Sequence, residues 1–255
     1  MTNFESTLAL RADLALALRA AAHHGLSEGI CNHFSVMVPG STDQFLLNPR
    51  GLHWSEVQAD DIVMCNAAGE QLAGRHPVEP TAMFIHAAVH RITGHAVVLH
   101  THMPHATALT LTAQRALDTT LSQGAMRFHG RVAVDAHYNG LALDMAEGER
   151  IARAMVVQAG GGGGEGKREG GAPAQAKEVA FLGNHGVVVC GARIDYAYDD
   201  LYYLERECQL QVLALSTGLK LLPVPMALAN KVAAQIDGER LQSELFFESL
   251  RRIVK

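Results

Sequence analysis

Apolar side chains recur at helical spacing from residue 6 to residue 24, with Leu8, Leu14 and Leu18 on the expected buried stripe. Ser6 can cap that helix and Gly25 can end it, since glycine takes the left-handed conformation at a helix terminus without strain. The pattern then shortens. Residues 34–38, closed by Pro39-Gly40, predict a strand and a turn, and 44–48 predict the partner strand of a hairpin, followed by a second turn at Pro49-Arg50-Gly51. A third strand is expected over 61–65. Helical spacing returns from about Thr81 to Arg91 and breaks at Thr93-Gly94. The run Ala96-Val97-Val98-Leu99 predicts a buried strand that leads into His100-Thr101-His102. Helices are expected from Pro104 onward and over 147–157. Strands at 179–182 and 187–190 flank the turn Asn184-His185-Gly186. Residues 195–217 predict a long helix ending at Gly218, and a last helix lies near 239–253. Strands and helices mix without a regular βαβ period, which favours a mixed α/β domain over a Rossmann fold.

A chain of 255 residues can form one large domain, and a single domain over 1–255 is expected. The interruption is 160–171, which opens with five consecutive glycines and continues through Glu165, Lys167, Arg168 and Glu169. Such a run cannot bury a core, so a flexible surface insertion is expected there. No Gly-Lys-Ser/Thr ending follows it, which argues against a phosphate loop. A net charge of -5 gives no support to nucleic-acid or anionic-membrane partners, and no apolar run approaches the length of a membrane span. Cys31, Cys65, Cys190 and Cys208 are scattered, with no Cys-x-x-Cys pair, so reduced thiols and a cytoplasmic location are expected. Glu5, Arg11 and Asp13 make the first helix amphipathic, unlike a signal peptide.

The chemistry concentrates in the histidines, of which there are fourteen. A strand has a side-chain period of two, so His100 and His102 point to one face, where a rigid strand end would offer two convergent ligands. The same spacing also fits two polar residues on an exposed strand face. Spacing alone does not join His185 to that pair, because a histidine in a sharp turn is also a common hydrogen-bonding residue. His86 and His90 share a helical face at i, i+4, a spacing that can also hold zinc. His105 follows His102 by three residues and carries a group whose ordinary pKa is near neutral.

His100-Thr101-His102, with Asn184-His185-Gly186 downstream, resembles the class II aldolase/adducin family. Gly29-Ile30-Cys31-Asn32-His33-Phe34-Ser35 looks like that family's glycine/asparagine loop. Residues 45–52 look like its hairpin and second loop, and Ser122-Gln123-Gly124-Ala125 and the helix around Tyr202, Leu204 and Glu205 also fit. The resemblance runs from about residue 10 to residue 217 and is closer to the adducin-like branch than to the sugar-phosphate aldolases. It implies a three-layer α/β/α sandwich around a mainly antiparallel central sheet, assembled as a homo-oligomer, with a tetramer favoured. It implies a divalent metal held by His100, His102 and His185: zinc first, with iron(II) or manganese as alternatives. His86 and His90 are packing residues by the same resemblance. In the family a glutamate upstream of the His-x-His pair ligates the metal or moves the proton. Counting back from His86, the matching position is Ala82, which can do neither. The nearest carboxylate is Glu79, which together with His105 is the candidate catalytic pair, and Tyr138 is a further conceivable proton donor. Asn32, Arg50 and Thr81, the last at the family's phosphate-binding serine pair, are candidate substrate-binding residues.

The expected function is a metal-dependent lyase of the class II aldolase type, acting on a small hydroxy-carbonyl compound, phosphorylated or not. Ala82 keeps two alternatives open. One is a different metal enzyme on the same fold: an epimerase, dehydratase, decarboxylase or iron-dependent oxygenase. The other is a non-catalytic adducin-like scaffold.

Overall fold

The computed structural model describes residues 4–156 and 176–254. The glycine-rich stretch 160–171 lies outside the described residues. A short 3-10 turn, Glu5–Thr7, leads into α1 (Leu8–His23), whose alanines and leucines are buried from Leu14 to Ala21. Next come β1 (His33–Met37), β2 (Gln44–Leu47), β3 (Val63–Asn66) and β4 (Gln71–Ala73), a meander of neighbouring antiparallel strands. α2 (Pro80–Thr93) crosses to β5 (Val97–Thr101), and α3 (Pro104–Thr110) follows at once. β6 (Val132–Asp135), α4 (Met145–Ala154), β7 (Val179–Leu182), β8 (Gly186–Gly191), α5 (Ile194–Ser216), α6 (Met226–Asp237) and α7 (Leu241–Ile253) complete the order.

The strands form one sheet in the order β4-β3-β2-β1-β5-β8-β7-β6, antiparallel throughout except between β6 and β7. Alternation along β5 assigns the two faces. Val97 and Leu99 join the large core under α1, α3, α5 and α7, with Leu14, Phe34, Leu109, Tyr198 and Leu250. Val98 points the other way, into a second core with Ile85 and Val89 of α2 and Ile151 of α4. Each fully buried aliphatic side chain contributes roughly 1.5–3 kcal/mol, so both faces are held and the sandwich has three layers. α2 and α4 touch closely at Gly148, where a Cβ would stand 2.4 Å from the Phe84 carbonyl oxygen.

The structure shifts some expected boundaries. The third strand begins at Val63 because 59–61 closes a 3-10 turn, in which Asp61 accepts a bond from the Gln58 amide. α4 begins at Met145 because the Asp144 side chain accepts the Glu147 amide, a helix-start cap. β4, β6 and α6 have no counterpart among the expected elements. β4 is three residues long and mostly exposed, and α6 buries only Ala229. Among the described residues no helix is long and apolar enough to cross a membrane.

Candidate metal centre

His100 and His102 stand at the C-terminal end of β5, on the α2/α4 side of the sheet by their alternation with Val98. The turn from β7 to β8 brings the third imidazole. Asn184 takes a left-handed conformation at φ 58, and the His185 amide closes the turn on the Leu182 carbonyl at 3.1 Å. Gly186 then lies directly against β5. A Cβ there would come within 2.6 Å of the Thr101 carbonyl oxygen and 2.8 Å of the His102 ring. Only glycine allows that approach without a shift of backbone. The three ring centroids stand 4.8, 4.9 and 5.1 Å apart, and one nitrogen from each ring lies within 4.8 Å of the others.

Hydrogen bonds fix which nitrogens face inward. His100 Nδ1 donates to the Val187 carbonyl at 3.0 Å, and His102 Nδ1 donates to Glu28 Oε2 at 2.5 Å. Each bond leaves Nε2 as a bare lone pair. His102 Nε2 is buried and has no hydrogen-bond partner. An orphaned buried nitrogen is costly, and a cation drawn in by the neighbouring imidazoles would satisfy it. Burial, reinforced by the neighbouring imidazoles, holds His100 well below the ordinary histidine pKa. Burial, with His102 beside it, pushes His185 down to about 4. Both rings are thus neutral at physiological pH, the form that ligates a metal. The donor set fits a divalent ion, with a carboxylate and a carbonyl orienting two of the three rings from behind.

A pocket of about 330 Å³ opens over the cluster. Asn32, Arg50, Glu79 and Thr81 all line it, together with an apolar wall that includes Ile30, Ile85, Leu141 and Ala142. Arg50 Nε and Glu79 Oε2 form an ion pair at 2.8 Å. Asn32, at φ 76, accepts the His102 amide on its side-chain oxygen at 3.2 Å, so it braces the end of β5 from within the pocket wall. His105 goes elsewhere. The chain turns at Met103-Pro104 into α3, which packs on α5. There the Glu205 carboxylate accepts the His105 amide at 2.9 Å, His105 Nδ1 at 2.7 Å and the Ala106 amide at 2.9 Å. His105 does not line the pocket. Neither does Ala82, which is fully buried against Phe45, Leu47, Val63 and Cys65. The Tyr138 ring stands 6.2 Å from that of His185.

Two participants escaped sequence reasoning. Glu28 sits in the loop after α1, and only that loop's fold carries it to His102. His33 lines the pocket because β1 pairs with β5 so that His33 is opposite His100, their rings stacked at 6.0 Å. Burial pushes His33 down to about 3. Its signal was available in principle: it lies in the Asn32-His33 loop and on the same strand face as Ser35. A larger cavity, about 810 Å³, lies beside the C-terminal end of α2, but its Arg193 and Arg251 are paired with acids and it holds no cluster of metal-binding side chains.

The three-layer sandwich and this cluster are those of an α/β protein with a candidate divalent-metal centre beside a small-molecule pocket. Residues 12–212 match the family model described as Class II Aldolase and Adducin N-terminal domain, and the chain belongs to that family. A Pseudomonas aeruginosa protein, provisionally named as an aldolase class 2 protein, is 34% identical over 218 residues, covering 84% of this chain and 75% of its own. The crystal structure of an aldolase II superfamily protein from Pseudomonas syringae superposes with a TM-score of 0.82 at 29% identity, over 97% of this chain and 92% of that one. L-fuculose 1-phosphate aldolase from Glaciozyma antarctica superposes with a TM-score of 0.79 at 22% identity, over 99% and 93% of the two chains, and shares the fold. Similar proteins carry the names of aldolases, a decarboxylase, an oxygenase/synthase and adducins. The family is therefore shown, while its members' reactions diverge.

Proposed function

We propose that this chain is a metal-dependent lyase of the class II aldolase type, with zinc held by His100, His102 and His185. The observation that carries the reading is the convergence of three imidazoles at the floor of a pocket large enough for a small hydroxy-carbonyl compound. When bound, a divalent ion supplies Lewis-acid stabilisation of the charge that carbon–carbon cleavage builds on a carbonyl oxygen. Iron(II) or manganese would suit the same ligands less selectively.

The chain's own residues divide the remaining work. Arg50 is the pocket cation for an anionic group of the substrate, and Thr81 offers a hydroxyl beside it. Glu79 already balances the Arg50 charge, so a singly charged carboxylate is a better match than a phosphate dianion. An arriving carboxylate would take over Arg50 and release Glu79 as a proton acceptor. His105 is occupied in anchoring α3 to Glu205 and has no part in this scheme.

Decarboxylation is the second reading, and a specific feature favours it. Ala82 leaves the family's carboxylate position apolar and buried. Loss of CO2 needs a carbonyl electron sink and no proton-abstracting base, whereas enolisation needs one, worth about 10²–10⁴-fold in rate. Zinc-loaded protein incubated with a 4-hydroxy-2-oxo acid, whose C3–C4 bond can break to release an aldehyde, and separately with a 2-hydroxy-3-oxo acid, whose C3 carbonyl takes up the electrons left by CO2, and followed by NMR, distinguishes the two readings. Release of an aldehyde, or solvent deuterium entering the substrate, supports the aldolase reading, and CO2 release supports the second. Neither product, with the metal bound, would leave the scaffold reading. A homo-oligomer is also proposed, on the exposed Leu210, Leu213, Leu219 and Leu222 at and beyond the end of α5, an apolar surface unusual for a monomer. Light scattering tests it.

A further inference from the structure

Behind the pocket, on the same sheet face, lies a second group of imidazoles. His33 and Ser35 of β1 point toward α2, whose His86 and His90 lie one turn apart on the facing side. All four side chains are at least nine-tenths buried. Ser35 Oγ lies 2.5 Å from His86 Nδ1 and 2.7 Å from His90 Nε2, and His90 Nδ1 lies 2.8 Å from the His95 carbonyl oxygen.

The direction of every bond in this chain follows from its last member. A carbonyl only accepts, so His90 Nδ1 carries the proton. A buried neutral imidazole has one N–H, so His90 Nε2 is bare and accepts the single Ser35 hydroxyl proton. The Ser35 oxygen must then accept from His86, which places the His86 proton on Nδ1. His86 Nε2 is left bare, fully buried and without a partner, and His33 Nδ1 is likewise buried and unpartnered. Burial, reinforced by neighbouring imidazoles, keeps His86 and His90 neutral, and no carboxylate bonds to either. The His33 and His86 rings stand edge to face with centroids 5.9 Å apart. The two orphaned nitrogens belong to these neighbouring rings and do not bond to each other, and one water making two bonds of about 2.8 Å would satisfy both.

We propose that Ser35, His86 and His90 form a one-directional hydrogen-bond chain whose free end, His86 Nε2, holds one buried water against His33 Nδ1 and so positions His33 beside His100. The water donates one proton to His86 Nε2 and meets His33 Nδ1 with its other side, which satisfies both orphaned nitrogens. The chain is a positioning device and not a proton exit, because it ends on a peptide carbonyl that can accept a hydrogen bond but cannot pass a proton on. It is not a second metal site, because the Ser35 hydroxyl already lies between the two nitrogens that would ligate. The assignment holds whichever reaction the pocket supports.

Long-range ¹H–¹⁵N correlation spectra of the full chain, ¹⁵N-labelled at histidine, read the tautomers directly. His86 and His90 should both be Nδ1–H. In Ser35→Ala, His86 loses its acceptor and should turn to the Nε2–H form, donating to the water, while His90 stays Nδ1–H on the His95 carbonyl. Ser35→Thr keeps the hydroxyl and should restore the native pattern, which simple space-filling at this position would not require. A wild-type His86 protonated at Nε2 overturns the chain's direction, and an unchanged His86 in Ser35→Ala overturns the role of Ser35. If Ser35→Ala does not fold, the wild-type spectrum still decides the direction. A crystal structure of the zinc-loaded protein should show one water within hydrogen-bond distance of both His33 Nδ1 and His86 Nε2. A dry gap there, or a direct bond between the rings, overturns the water.

Discussion

Two imidazole clusters share one face of the sheet, and they differ in where their lone pairs point. At the end of β5, His100 and His102 each spend Nδ1 on an acceptor behind the ring, which turns bare nitrogens toward His185 and the pocket. Between β1 and α2, His86 and His90 are consumed in a chain through Ser35 that ends on a carbonyl. Both begin from spacings that can ligate a metal, two apart on a strand and four apart on a helix. The partners of the second ring nitrogen separate them: acceptors placed outside a cluster leave its centre rich in lone pairs, and a hydroxyl placed inside uses them up.

The largest effect that tests this contrast is on metal content. His100→Ala or His185→Ala should each lower divalent-metal occupancy strongly, and the double variant should remove it, because two ligands rarely hold zinc. Elemental analysis after dialysis checks this, and full occupancy in the double variant would break the comparison.

Acid should act next, on the metal-free protein. Burial depresses His90 to about 4 and His185 to about 4 in the folded state, below the ordinary value of 6.5. The unfolded chain therefore binds more protons between these values. The stabilisation is complete above pH 6.5 and is lost as pH falls toward 4, by up to about 1.4 kcal/mol per pH unit for each group. Urea unfolding at stepped pH measures the slope, and a flat profile over that window would count against neutral buried rings. Added zinc should lower the midpoint pH of the loss, since it binds only the neutral cluster.

Gly186→Ala should cost about 1–3 kcal/mol, since the new methyl meets the Thr101 carbonyl and the His102 ring. It should also weaken metal binding by moving His185, and thermal unfolding with a zinc titration reads both. Glu28→Gln keeps a hydrogen-bonding side chain but loses the charge behind His102, and should weaken zinc binding about 10–100-fold. The smallest expected effect sharpens the contrast most. His86→Asn keeps a donor near the Nδ1 position and should leave zinc content unchanged; a large fall would show that the two clusters act as one centre.

Local pattern carried much of the fold, because alternation and helical spacing are written in neighbouring residues. The expected elements β1, β2, β5, β7, β8, α1, α2 and α5 are present within a few residues of their anticipated ends. β4, β6 and α6 were not legible, since short or largely exposed segments bury too little apolar surface to leave a period. The layering around a mainly antiparallel sheet followed from the family resemblance, and the sheet order bears it out.

By itself, then, the sequence determined that His100 and His102 share a face, because a strand's period of two is a local property. Only the tertiary structure decided which distant groups meet them. Gly186 lets the β7–β8 turn close on β5 and deliver His185, and the loop after α1 delivers Glu28. The β1–β5 register sets His33 opposite His100, while the turn at Met103-Pro104 carries His105 away to Glu205, although it is only three residues from His102. Register, loop closure and the direction of a hydrogen bond depend on partners far along the chain. No window of neighbouring residues contains them.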